Sequence, residues 1–228
     1  FPKIEQEVCL VYLTNQNCAE RHIRYKVYED CRKRVVLQEN SIRWNKPLKK
    51  WSNAILNDDD ISLLKNAVSR YPKIKSMGEI APGIVTGGNR YFILTEEKVE
   101  EYQCREFVLP IVQKASYISK NTMEISRTVI EEIGRNNKPV YLLNLFAEKD
   151  IERLPVKLQE YLSWAGEQKV GDISLKNCFK CSNRIPWYGV PVVKKGEVVF
   201  FKRYGCLPRI YYNSAKVHTT DAGYHIRL

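Results

Sequence analysis

The apolar positions of this chain change period several times, and each change marks an element. Val8-Cys-Leu-Val-Tyr-Leu13 is a short β-rich run, and Arg21-His-Ile-Arg-Tyr-Lys-Val-Tyr28 alternates polar with apolar residues, as a half-buried strand does. Together they predict a hairpin that must lean on something else, since two strands alone are marginal. From Arg32 to Leu56 the pattern is weak, with Trp44 and Trp51 as its anchors, and the stretch reads as a connection. Asp58-Asp-Asp60 then precedes Ile61, Leu64, Ala67, Val68 and Tyr71. That spacing predicts a helix with an acidic start opposing its dipole, ended by Pro72.

Gly83-Ile-Val-Thr-Gly-Gly-Asn89 is a glycine-rich turn between strands, and Tyr91-Phe-Ile-Leu94 is apolar again. Thr95 caps a helix through about Tyr102, and Val129, Ile130 and Ile133 are the apolar stripe of another over Arg127–Gly134. Val140–Phe146 is an apolar run of strand length. Leu154, Leu158, Tyr161, Leu162 and Ala165 repeat at helical spacing up to Gln168. Short strands follow, divided by Gly171, Pro186, Gly189, Gly196 and Pro208. The expected fold is α+β, mixed and strand-rich toward its end, with several helices.

Composition narrows the partners. The 228 residues, 44% of them hydrophobic, can bury a core as one large domain or a domain plus a fragment. Thirty-seven Lys and Arg against 26 Asp and Glu give a net charge of +11, which suits a polyanion. No long apolar run and no basic amphipathic helix point to a membrane, and the polar, acidic first residues are no signal peptide. The seven cysteines are odd in number and scattered, which points to a reducing cytoplasm. Phe1 in place of Met suggests a fragment or a processed product.

The candidate chemistry lies in the tail. Arg184, Lys194, Lys195, Lys202, Arg203, Arg209 and Lys216 alternate with Trp187, Tyr188, Tyr204, Tyr211 and Tyr212. Asn213, His218, Thr219 and Thr220 add groups that bond to base edges or phosphates. A solvated strand face with tyrosines in the core has the same composition. The turn Thr86-Gly87-Gly88-Asn89, with Arg90 behind it, lacks the Lys-Ser/Thr of a P-loop and the GxGxxG of a dinucleotide fold. It reads as a plain turn or as a loop whose amides approach a nucleic acid closely. Cys178-Phe-Lys-Cys181 has the spacing of half a zinc site without its other half, so buried thiols and no metal are expected. The paired glutamates Glu96-Glu97, Glu100-Glu101 and Glu131-Glu132 read as solvated helix faces, and no catalytic constellation stands out.

Several short motifs occur together and in order. Glu5-Gln-Glu7 precedes Leu10–Leu13; Gly78-Glu-Ile80 is followed by Gly83-Ile-Val-Thr-Gly-Gly-Asn-Arg-Tyr-Phe-Ile-Leu-Thr95. Arg184-x-Pro186-Trp-Tyr188 and Pro208-Arg-Ile-x-x-Asn213 come later, then His218-Thr219. This series resembles the C-terminal half of bacterial adenine-specific DNA methyltransferases of the TaqI-like class, over nearly the whole chain. Cys178 is an extra thiol beside the expected Cys181. The resemblance implies that residues 1–40 are the last hairpin of a Rossmann-like catalytic sheet, 41–72 a helical connection, and 73–228 a DNA target-recognition domain. It implies double-stranded DNA as partner, read by Thr86, Gly87, Gly88, Asn89, Arg90, Arg184, Tyr188, Arg209, Asn213, His218, Thr219 and Thr220. The catalytic residues and the S-adenosylmethionine site would lie in an N-terminal domain, so no cofactor and no methyl transfer are expected of this chain alone. A free-standing basic nucleic-acid-binding module, or an interaction domain stabilised by zinc on Cys178 and Cys181, are the alternatives the residues leave open.

Overall fold

The computed structural model describes residues 22–28, 35–43, 56, 58–203 and 208–228. The chain divides into two compact units, Phe1–Lys73 and Ile74–Leu228. In the first, β1 (His22–Tyr28) pairs antiparallel with β2 (Val36–Arg43), with an irregular register at Val27/Tyr28. The cross-strand pair Lys26–Glu39 closes at 3.1 Å. So the alternating run does form a hairpin strand, but its partner is Val36–Arg43, within the stretch read as a connection. Val36, Leu37 and Ile42 supply the β-propensity there, diluted by Gln38, Glu39, Asn40 and Ser41. The predicted strand Val8–Leu13 and the anchors Trp44 and Trp51 lie outside the described residues. Helix α1 (Asp58–Arg70) starts at the acidic triplet, as its sequence predicts.

The second unit is α+β. In chain order it contains β3 (Glu79–Pro82), α2 (Asn89–Phe92), β4 (Ile93–Leu94), α3 (Glu96–Glu101), β5 (Val108–Val112), α4 (Arg127–Arg135) and β6 (Tyr141–Leu143). It continues with α5 (Val156–Glu167), β7 (Lys169–Val170), β8 (Ile173–Ser174), α6 (Phe179–Ser182), β9 (Val198–Phe201), β10 (Ile210–Tyr212), β11 (His218–Thr219) and β12 (Gly223–Arg227). Local chemistry explains the helix starts. Thr95 accepts from the amide of Lys98 at 3.5 Å to cap α3, and Ser126 accepts from the amide of Val129 at 3.4 Å to cap α4.

Two four-stranded sheets form the frame. One has the order β10-β9-β12-β3, antiparallel throughout. The other runs β11-β5-β6-β4, with β11 parallel to β5. α5 buries Leu158, Tyr161, Leu162 and Ala165 in a core with Phe92, Leu94, Leu142, Leu143 and Tyr188. Each such large apolar side chain stabilises the fold by about 1.5–3 kcal/mol when fully buried. A second core joins Ile130 and Ile133 of α4 to Val112, Val199, Phe201 and Tyr211.

The two sheets meet where β3 and β11 end. Ile84 bridges Thr220 in parallel, its amide donating to the Thr219 carbonyl at 2.8 Å and its carbonyl accepting from Asp221 at 2.9 Å. The contact is so close that a Cβ on Gly83 would stand 2.3 Å from the Thr220 carbonyl oxygen. This seam launches the glycine turn.

Candidate nucleic-acid interface

Past the seam, the turn folds on itself. The Thr86 hydroxyl donates to Oδ1 of Asn89 at 2.5 Å and accepts from the amide of Gly88 at 3.1 Å. Gly87 takes φ +87°, where a side chain would be strained, and a Cβ there would lie 2.9 Å from Cβ of Lys180. The turn is thus pressed against the segment around α6.

Arg184 fastens the two together. Its Nη1 donates to the Thr86 carbonyl at 2.7 Å and its Nη2 to the Val85 carbonyl at 2.8 Å. Behind this clamp Cys178 donates from Sγ to the Gly87 carbonyl at 3.8 Å. Burial, with Cys178 alongside, pushes the Cys181 thiol up to about 12, so it packs as a neutral thiol. Among the described residues no group of three or more His, Cys, Asp or Glu is placed to hold a metal. Cys206, the other thiol near in sequence, lies outside the described residues.

The other singled-out polar residues face inward. Asn213 donates from Nδ2 to the carbonyls of Gly196 and Val217, both at 3.0 Å, and accepts from the Val217 amide at 3.0 Å. It therefore staples the β9 entry to the turn before β11. Thr220 donates to the Gln113 carbonyl at 3.1 Å. Thr219 meets His225, whose Nε2 lies 3.0 Å from the threonine hydroxyl and whose Nδ1 accepts from the Gly196 amide at 3.1 Å. His218 is buried, and its Nδ1 has no hydrogen-bond partner among the described residues. Burial pushes both histidines down to about 4, with Lys195 and His225 adding to the effect on His218 and Arg227 to that on His225. Tyr188 is buried in the first core beside Trp187, which also packs on Phe92 and against Gly166.

The singled-out residues therefore divide by exposure. Thr86, Tyr188, Asn213, His218, Thr219 and Thr220 are buried, and their side chains shape the loops from inside. Gly87, Gly88, Asn89, Arg184 and Arg209 are partly exposed, and Arg90 is exposed. Glu96 and Glu100 are more than a solvated face, since both grip Arg105, which lies 5.0 Å over the Tyr141 ring.

One signal in the sequence went unread. Between Ile173 and Thr220 the only acidic residue is Glu197, against nine lysines and arginines. Two of those cations, Lys176 and Lys180, precede the tail singled out for its charge. Gly83 to Arg90 likewise contains no Asp or Glu. The clamp thus joins Gly83–Arg90 to Ile173–Gly196, two segments free of carboxylates, in one basic edge. No described helix is long and apolar enough to cross a membrane.

Residues 48–228 match the family described as type II methyltransferase M.Eco57I, C-terminal domain, and the chain belongs to that family. No curated protein matches the chain.

Proposed function

We propose that this chain grips and reads duplex DNA for a site-specific, adenine-specific methyltransferase of a bacterial restriction–modification system, acting in the cytoplasm. S-adenosylmethionine and the transferred methyl group would be handled by an N-terminal catalytic domain, to which the β1–β2 hairpin belongs. The observation that carries the reading is the basic edge made by Arg184, because family membership supplies the enzyme class and the edge supplies a surface for phosphates.

In this reading Arg90, Arg209, Asn89 and the partly exposed backbone of Gly87 and Gly88 meet the DNA. Thr86, Arg184, Tyr188, Asn213, His218, Thr219 and Thr220 hold those groups in place. Preorganised loops of this kind lose less conformational freedom on binding than mobile ones.

The test is a fluorescence-anisotropy titration of duplex DNA with the full chain at about 50 and 200 mM salt, beside calorimetric titration with S-adenosylmethionine. Duplex binding in the range of about 10⁻⁴–10⁻⁶ M that weakens steeply with salt is expected, with no saturable cofactor binding. Salt-independent binding, or micromolar binding of the cofactor, contradicts the reading.

A further inference from the structure

Two large apolar side chains stand in water on the basic edge. Ile185 is 93% exposed and Phe179 is 75% exposed. Both sit on a stiff support. Asn183 donates from Nδ2 to the Phe179 carbonyl at 2.6 Å, and the Arg184 amide donates to the Cys181 carbonyl at 3.0 Å. Between and beside the two tips, Cys181, Arg184 and Tyr188 are fixed to the turn or to the core. Val85, whose carbonyl receives Arg184, is an exposed apolar neighbour on the turn.

The surroundings decide what such tips fit. Ile173 to Gly196 and Gly83 to Arg90 contain no carboxylate, while Lys180 and Arg90 are exposed cations. The Lys180 ammonium lies 5.5 Å from the centre of the Phe179 ring. Lys176 of the same segment is paired with Glu167 of α5, whereas Lys180 and Arg90 are exposed, and apolar points beside such cations are complementary to a ligand with an apolar interior flanked by negative charge. A duplex has that form: stacked bases between two rows of phosphates. The rim of a protein partner would have to be strongly acidic to match.

We infer that Phe179 and Ile185 are wedges that enter a base step of duplex DNA, while Lys180 and Arg90 take the flanking phosphates. The inference rests on the duplex-binding reading above. Apolar side chains that enter a step unstack it, which is most easily done where a base is already missing or mispaired.

The experiment uses the full chain, its Phe179→Ala, Ile185→Ala and doubly substituted variants, and Lys180→Ala. The probes are duplexes carrying 2-aminopurine, with or without an abasic site beside it. The unsubstituted chain should raise 2-aminopurine fluorescence as the step opens. The double variant should lose that rise and bind the intact duplex roughly tenfold more weakly, by the scale of a lost stacking contact. Its affinity for the abasic duplex should recover, and its salt dependence should stay unchanged. Lys180→Ala should keep the rise and lower the salt dependence. A double variant that keeps the rise, or that binds intact and abasic duplexes with the same deficit, overturns the wedge and leaves the duplex reading standing. An unsubstituted chain with no salt-sensitive duplex binding overturns both.

Discussion

Arg184 donates from Nη1 to the backbone carbonyl of Thr86 at 2.7 Å, although the two residues lie 98 positions apart. The bond makes one edge out of two loops that are remote in sequence. It also gives a cation a structural duty, because its second arm is occupied by Val85.

Arg184→Ala should therefore lower folding stability by about 1–3 kcal/mol, the range for a hydrogen-bonding group left without its partner. Arg184→Lys should recover only part of this, since a compact ammonium lacks the rigid planar fork that presents two nitrogens to two carbonyls at once. Urea unfolding of the three proteins checks it. Equal midpoints for all three would mean that the clamp contributes nothing to the fold.

The turn should tolerate no side chain at its two tightest points. Gly87→Ala must adopt φ near +87° and displace Lys180, at a cost on the order of 1–2 kcal/mol. Gly83→Ala is expected to be worse, because its Cβ would meet the carbonyl oxygens of both Thr219 and Thr220. Those atoms are backbone at the junction of the two sheets and cannot rotate away. Thermal melts should rank the chain, Gly87→Ala and Gly83→Ala in falling order.

Stability should fall in mild acid. Both His218 and His225 have folded values near 4, below the ordinary 6.5 of the unfolded chain. The unfolded chain thus binds protons first, so stability is full above about pH 6.5 and is lost as pH falls toward 4. Geometry gives the same sign: the backbone amides of Gly196 and Thr219 point at Nδ1 and Nε2 of His225, at 3.1 and 3.2 Å, so a ring protonated on both nitrogens would face two N–H donors. A difference of one between folded and unfolded values is worth about 1.4 kcal/mol, so the pair should remove several kcal/mol over this range. His225→Gln should flatten part of the pH dependence of urea midpoints measured between pH 4 and 7.

Much of the fold was legible because it is written locally. Thr95, the Val129–Ile130–Ile133 stripe and the Leu158–Leu162–Ala165 spacing each name an element within a few residues, and α3, α4 and α5 form there. The strand Val36–Arg43 was missed because four consecutive polar residues hide its period. The candidate site was less legible, for a physical reason. Asn213, His218, Thr219 and Thr220 have the chemistry of DNA-contacting groups, but the same donors and acceptors satisfy buried backbone here, and sequence does not record which way a side chain points. Arg184 shows this most clearly. Its neighbours mark it as a cation, and only carbonyls from Val85 and Thr86 mark it as a clamp.

Trp187 should behave as a buttress. It meets Phe92 edge-on at 6.2 Å and Tyr188 at 5.7 Å, and its ring fills the space above Gly166. Because the ring is only partly buried, Trp187→Ala should cost about 2–4 kcal/mol, toward the lower part of the range for large aromatic truncations. Arg90→Ala, at an exposed position, should change the melt by less than about 0.5 kcal/mol. A Trp187→Ala protein that melts with the unsubstituted chain would remove the ring from the fold's support.

The basic edge as a phosphate grip is tested most directly by the slope of log affinity for duplex DNA against log salt concentration. It should be measured for the full chain and for the Arg90→Ala and Lys180→Ala variants. Each cation that releases a counterion contributes about 0.9 to that slope on B-form DNA. The account predicts that each substitution lowers the slope by about one, with little sequence preference and unchanged melting. Slopes that stay the same in both variants, while binding itself persists, would place the DNA on another face and contradict the account.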